Sequence, residues 1–295
     1  MKQIQPANNE LSGHTLEDIA NSAYTEPEAH QTSDPSLENY SICVFRIPEN
    51  GGRALWEITN NCNYRCGYCI FSADNGQAEG ELTTDEAFKV LDGLKERGFS
   101  HIKFTGGEPF KRKDFMDILA RSCEMGFEVD VSTNASLITP TKAETLAQYG
   151  LNMVHVSVDG HDRETHELAR GNKTYNPTMR GLQNLAKQDV YVRIGAVLFN
   201  GNDSYIEEMV ESAAENGADE IIFSYMEPAG RMKDDYSMAS KKSIPELKSE
   251  LDDLTEKYSG QINVNYSFSE TDDSANYSSE GRCPGGEKFV FIDNI

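Results

Sequence analysis

The sequence predicts an α/β fold, a partial (β/α)6 barrel of the TIM type, and three observations carry the prediction. Apolar runs of strand length alternate with segments of helical spacing from residue 51 onward. Six such runs succeed one another, each pair separated by a helical segment, which is the pattern of right-handed crossovers in a parallel sheet. Gly98, Gly126, Gly150 and Gly217 stand where helices should stop. In such a sheet the strand C-termini share one face, and chemistry belongs there.

Residues 1–50 are polar and acidic, with Asn8-Asn9, Ser33-Asp34-Pro35-Ser36 and only a short apolar patch near Leu16 to Ile19, and read as an N-terminal extension. After Gly51-Gly52 the first strand is predicted over Ala54–Thr59. Thr83-Thr84-Asp85-Glu86 starts a helix with Phe88, Leu91 and Leu94 on one face and Arg97-Gly98 at its end. Strands follow over His101–Thr105, Glu128–Ser132, Met153–Ser157, Tyr191–Leu198 and Glu220–Ser224. The intervening helices are predicted over Lys113–Met125, Thr139–Tyr149, Thr178–Lys187 and Ser204–Asn216. This core is taken as residues 51–235. Residues 236–295 are expected to form a short C-terminal appendage: a helix over Ile244–Tyr258, a strand over Ile262–Tyr266, a Ser/Asp-rich loop and a strand-like Phe289–Ile292.

Composition narrows the function classes. The chain has 295 residues, 38% of them apolar, and a formal charge of −22. Its Lys and Arg residues are scattered, so a nucleic-acid partner, which rewards clustered cations, is not expected. A halophilic origin is one reading of the acid excess. No run approaches the roughly 18 apolar residues of a membrane span, and no basic-then-apolar leader opens the chain, so a cytoplasmic location without a membrane partner is expected. Six cysteines are too sparse for a disulfide scaffold, yet three of them cluster.

The cluster follows the first strand as Thr59-Asn60-Asn61-Cys62-Asn63-Tyr64-Arg65-Cys66-Gly67-Tyr68-Cys69, a C-x3-C-x2-C spacing. Zinc would need a fourth ligand, and the loop has no histidine, so zinc would have to recruit Cys283 or another distant group. An iron–sulfur cube can be held by three thiolates with its fourth iron open. Three unrelated structural cysteines are the plainest alternative. The spacing, with Tyr68 before the last cysteine, resembles the defining motif of radical S-adenosylmethionine (radical SAM) enzymes. The resemblance implies a [4Fe–4S] cluster on Cys62, Cys66 and Cys69. In that family S-adenosylmethionine chelates the open iron and is reductively cleaved to a 5′-deoxyadenosyl radical that abstracts hydrogen from substrate, and the resemblance implies the same here.

Further motifs at successive strand ends resemble the same family. Gly106-Gly107-Glu108-Pro109 would meet the methionyl ammonium of the cofactor, with Glu108 adding negative charge; alone it reads as a βα turn. Ser132 and Asn134 stand where the family contacts ribose and carboxylate, though both are common strand caps. Ser157, Asp159 and Arg170 fall in a stretch similar to the family's S-x-D-G … R-G, so that Ser157 hydrogen-bonds the cofactor and Arg170 pairs with its carboxylate. A surface ion pair of Arg170 with Glu164 or Glu167 is the alternative. Val197 and Leu198 would pack against adenine, or are simply a buried strand. His161 and His166 read as a solvated loop without a role, Cys123 as a core residue, and Cys43 as no ligand.

Cys283-Pro284-Gly285-Gly286 resembles the opening of the SPASM or twitch extension, whose auxiliary cluster needs cysteines beyond Ile295. The sequence is therefore expected to be a fragment; a solitary cysteine on a terminal hairpin is the alternative. The SPASM-like branch, which Trp56–Asn60 also resembles, implies maturation of a peptide or protein, with a ferredoxin or flavodoxin as reductant. A small-molecule step of haem-type or nucleotide cofactor biosynthesis is the second enzyme reading. A non-catalytic iron–sulfur or zinc scaffold is the third. Tyr225 and Glu227, after the sixth strand, are rim positions near a substrate.

Overall fold

The computed structural model describes residues 51–76, 80–226, 229–234, 237–268 and 289–292. Eight strands form one sheet: β1 (Gly52–Thr59), β2 (Phe99–Gly106), β3 (Glu128–Thr133), β4 (Met153–Ser157), β5 (Val192–Leu198), β6 (Glu220–Tyr225), β7 (Asn263–Ser267) and β8 (Phe289–Ile292). They are ordered β7-β6-β5-β4-β3-β2-β1-β8, with every pairing parallel. Among the described residues seven α-helices accompany them: α1 (Thr84–Glu96), α2 (Phe115–Glu124), α3 (Pro140–Gln148), α4 (Arg163–Arg170), α5 (Tyr175–Leu185), α6 (Ile206–Glu215) and α7 (Ile244–Lys257). The six predicted β/α units are all present.

The period of two along each strand sorts its side chains. Trp56, Ile58, Ile102, Phe104, Val129, Val131, Val154, Val156, Ile194, Ile221 and Phe223 alternate onto the helix-covered face. There they join Leu91, Ile118, Leu119, Leu146, Leu182, Val210 and Leu251 in one core. Phe104 anchors its centre, with ring centroids 5.6 Å from Trp56 and 5.4 Å from Phe115. Helix starts are fixed locally: Thr83, Asp162 and Ser243 each close a capping box on the residue three positions on.

Two expectations are corrected here. The C-terminal segment is not a separate appendage as far as it is described: α7 and β7 add a seventh parallel unit on β6, and β8 pairs with β1 at the other edge. Leu247, Leu251 and Leu254 need an apolar surface, and the sheet supplies it. The stretch after β4 is helix rather than solvated loop. Asp162 caps α4, Gly171 ends it, and His166 is fully buried on its inner face. Cys43, Glu227 and Cys283 lie outside the described residues. Among those described, no helix is long and apolar enough to cross a membrane.

Candidate active site

The cysteine loop leaves the C-terminal end of β1 and is fastened along its whole length. Cys62 N donates to Asp74 O at 3.0 Å, closing the loop at its base, where Asn61 and Asp74 form an isolated bridge. Gly67 N donates to Ala169 O of α4 at 2.8 Å. Cys62, Cys66 and Cys69 gather with Tyr64, Phe71 and Ala73 in a small apolar cluster of their own. All three are free thiols. Burial pushes the Cys62 thiol up to about 12 and raises that of Cys66, so both need an added positive charge to ionise.

The donor set fits an iron–sulfur cube. Three soft thiols stand on one short loop, and the base of that loop is fixed from outside it. Among the described residues, no three His, Cys, Asp or Glu side chains converge as ligands of a single metal ion must.

The end of β2 is built against that loop. Gly107 N donates to Thr59 O at 2.6 Å and Glu108 N to Asn61 O at 2.9 Å. A Cβ on Gly106 would stand 2.4 Å from Thr59 O, and one on Gly107 2.5 Å from Asn61 O, so this approach of two backbones excludes any larger residue. Pro109, buried, heads the 3-10 turn that follows. Glu108 is fully buried, and its carboxylate accepts from Thr133 Oγ1 at 2.7 Å, Asn134 N at 2.8 Å and Phe110 N at 3.2 Å. A carboxylate has about four acceptor positions, so this one ties the ends of β2 and β3 together and keeps one position open. Burial raises its pKa. Asn134 reaches the other way, donating from Nδ2 to Asn63 Oδ1 of the cysteine loop at 3.0 Å.

The end of β4 carries a buried network. Asp159 accepts from Arg170 Nε at 2.5 Å, from Val197 N at 2.9 Å and from the Tyr68 hydroxyl. The Arg170 guanidinium lies over the Tyr68 ring, 5.6 Å from its centroid. The neighbouring negative charges hold Arg170 fully protonated against the cost of its burial. This corrects one expectation: the carboxylate beside Arg170 is that of Asp159, and neither Glu164 nor Glu167 is its partner. A buried guanidinium requires a buried counter-ion, and Asp159 is the one at hand. Leu198 is corrected likewise. It is fully buried in the helix-side core, while Val197, one residue earlier, faces Tyr68, Phe199 and Met226.

Ser132 and Ser157 lie on the face of the sheet opposite the helix-side Val131 and Val156. Both are half-buried, and neither hydroxyl has a partner among the described residues. With Thr105 and Ser224, likewise half-buried and next to helix-side residues, they make a row of hydroxyls at this end of the sheet. Two residues without a motif complete the site. Asn202, fully buried, donates from Nδ2 to Asp159 O and Val197 O, both at 2.8 Å. Arg231, beyond β6, reaches the carbonyls of the cysteine loop. Neither was legible: Arg231 acts on residues about 160 positions earlier, and Asn202 joins near neighbours to Asp159, 43 positions away. His166 also belongs to this layer: its Nδ1 accepts from Asp159 N at 3.3 Å, and burial lowers its pKa to about 4.

A model of the radical SAM superfamily matches residues 56–213, from β1 through most of α6. This chain belongs to the radical SAM superfamily. That membership brings the cofactors the motifs imply, a [4Fe–4S] cluster and S-adenosylmethionine, and makes the chain an enzyme. Among curated relatives, the AdoMet-dependent heme synthase of Methanosarcina barkeri is 33% identical over 177 residues, 60% of this chain and 51% of the relative. Mycofactocin maturase MftC of Mycobacterium tuberculosis is 31% identical over 180 residues, 61% of this chain and 46% of the relative. The radical SAM chain described here thus spans about half the length of these relatives. Among solved structures, Streptococcus suis SuiB bound to S-adenosylmethionine superposes with a TM-score of 0.64 at 19% identity, covering 76% of this chain and 51% of that one. The anSMEcpe structure with AdoMet and Cp18Cys peptide gives 0.59 at 18% identity, over 72% and 63%. These likenesses confirm the parallel α/β fold.

Proposed function

We propose that this chain uses a [4Fe–4S] cluster to cleave S-adenosylmethionine reductively, and directs the resulting 5′-deoxyadenosyl radical to a hydrogen on a peptide or protein substrate. The observation that carries the reading is the backbone seam between the cysteine loop and Gly106–Glu108, which sets three thiols beside the strand end that would receive the cofactor's amine. Cys62, Cys66 and Cys69 would hold the cluster. The carbonyls of Gly106 and Gly107 and the open position on Glu108 would accept from the methionyl ammonium. Ser132 and Ser157, on the face opposite the helix-side residues, would hydrogen-bond the bound cofactor, and Val197 would pack its adenine.

Other residues act through these. Asp159 fixes Tyr68, and so the last turn of the cysteine loop, while Arg170 balances its charge. Asn134 and Pro109 hold the ends of β3 and β2. Peptide maturation is supported by the relatives and neighbours: MftC is a maturase, PqqA peptide cyclase is 26% identical over 223 residues, and SuiB has been captured with its precursor peptide. A low-potential ferredoxin or flavodoxin in a cytoplasmic setting would supply the electron. A haem-type small-molecule substrate is the second reading, favoured by the 33% identity to the heme synthase.

The test is anaerobic reconstitution with iron and sulfide, then dithionite and S-adenosylmethionine, with chromatography for 5′-deoxyadenosine beside Cys66→Ala. Product from the wild type and none from the variant is expected. Retention of zinc alone after anaerobic purification and reconstitution would overturn the reading. A mass change in a co-expressed peptide would separate the peptide substrate from the tetrapyrrole one.

A further inference from the structure

The cysteine loop needs a support that its own sequence does not provide. Between Cys66 and Asp74 it forms neither helix nor strand beyond the single bridge at Asp74; within it Cys66 O accepts from Cys69 N at 3.4 Å and Cys69 O from Ser72 N at 3.1 Å. A carbonyl has two lone pairs, so isolated turns of this kind are held more firmly where a second donor reaches the same oxygens. Further donors come from the segment after β6. Arg231 Nη1 donates to Cys66 O at 2.8 Å, and Nη2 donates to Ser72 O at 3.1 Å and to Ala73 O. The backbone joins in, with Arg231 N donating to Cys69 O at 3.1 Å. One residue therefore touches the main chain of two of the three cysteines and of the turn that follows them.

Its neighbours are shaped for this contact. Gly230 has φ +55°, and a Cβ there would lie 2.2 Å from Cys69 O and 2.4 Å from Ile70 O. Met232, buried, packs with Tyr68, Ala169, Phe199 and Met226 and so pins the other side of Arg231 to the layer beneath the loop. The guanidinium is nearly enclosed, with 13% of its side chain exposed, and its nearest carboxylate, Asp74, is 3.9 Å away. Its charge is directed at the loop.

We infer that Arg231 is a positioning residue of the cluster-binding loop: its guanidinium fork holds the Cys66–Ala73 backbone in the shape that presents the thiols, and its fixed positive charge stands beside Cys66. The inference rests on the radical SAM reading of the three cysteines. Lysine keeps the charge but not the planar fork; methionine keeps neither.

The experiment compares wild type, Arg231→Lys and Arg231→Met, each first shown by circular dichroism and thermal unfolding to be folded. Hydrogen exchange on the metal-free chains reads the loop without any cluster. The amides of Cys69 and Ser72, which donate to Cys66 O and Cys69 O, should exchange faster in both variants than in wild type. After anaerobic reconstitution, Arg231→Met should lose its cluster to a chelator about tenfold faster than wild type, the scale seen when partners of metal ligands are removed. The midpoint potential should fall in Arg231→Met and return towards wild type in Arg231→Lys, a pattern that a purely structural role would not give. Unchanged exchange, chelator loss and potential in Arg231→Met would overturn the inference while leaving the radical SAM reading intact. A wild-type chain that takes up no cluster overturns both. Should Arg231→Met not fold, Gly230→Ala repeats the measurement: it presses on Cys69 O and Ile70 O without changing charge, and must speed exchange in the same loop.

Discussion

Arg170 Nε lies 2.5 Å from Asp159 Oδ2, and both side chains are buried beneath the cysteine loop. The pair links the C-terminal end of β4 to the last residue of α4, and through the Tyr68 hydroxyl it links both to the turn that carries Cys69. Taking one partner away leaves the other charged and enclosed. Asp159→Asn should therefore cost about 3–5 kcal/mol in urea unfolding, whereas the double change Asp159→Asn with Arg170→Met should cost less than the two single changes summed. Additive losses would show that the pair is not coupled.

The glycines at the end of β2 invite a second measurement. Gly107→Ala places a methyl group 2.5 Å from Asn61 O, and the neighbour is backbone, so it cannot swing aside. A loss of roughly 1–3 kcal/mol is expected. It should be accompanied by weaker S-adenosylmethionine binding, because the seam that moves is the one the cofactor would lie on. Wild-type stability in Gly107→Ala would contradict this account of the seam.

Protonation of His166 gives a pH prediction. Burial lowers its folded pKa from 6.5 to about 4, so between these values the unfolded chain binds more protons than the folded one. Native stability should then fall as the pH drops from about 6.5 towards 4, by up to roughly 3 kcal/mol from this residue. The full contribution is present above pH 6.5. Unfolding curves for His166→Gln should show a flatter dependence across that window, and an equal slope in both proteins would assign the effect elsewhere.

Ligand linkage separates the enzyme from an inert scaffold. Reconstituted protein with S-adenosylmethionine at 100 times its Kd should gain about 2.7 kcal/mol of apparent stability. Cys66→Ala, lacking a cluster ligand, should gain much less. An unchanged Tm in the wild type would favour a scaffold that keeps the loop without holding the cofactor.

The buried amide of Asn202 supplies a last test. It bonds Asp159 O, Val197 O and Phe199 N at once. Asn202→Ala leaves these groups unmet in an enclosed site, and a loss of about 1–3 kcal/mol is expected in denaturant unfolding.

The strands and helices were legible because their signals are local. Ile102 and Val131 alternate with polar neighbours, Thr83 and Ser243 announce helix starts, and three cysteines in eight residues declare their chemistry wherever the loop goes. α4 was readable in principle from Asp162 and Gly171, but eight residues between two motifs looked like loop. The roles of individual side chains at the site were less legible. The pairing of Arg170 with Asp159 was not legible, because sequence names a guanidinium without naming the carboxylate that will be beside it.

The sequence alone determined the parallel α/β architecture, the order of its first six strands and the three thiols at the end of β1, since each depends on residues within a few positions of one another. Tertiary structure decided which of the remaining polar groups are paired within the fold and which keep open positions. Asp159 is consumed by Tyr68, Arg170 and Val197, Glu108 keeps one acceptor position open, and Leu198 turns to the helices while Val197 does not. It also brought Arg231 onto the carbonyls of a loop 165 residues earlier in the chain. Burial is the physical reason: a polar group shut away from water must be paired, and the partner is whichever group the fold has placed within about 3 Å.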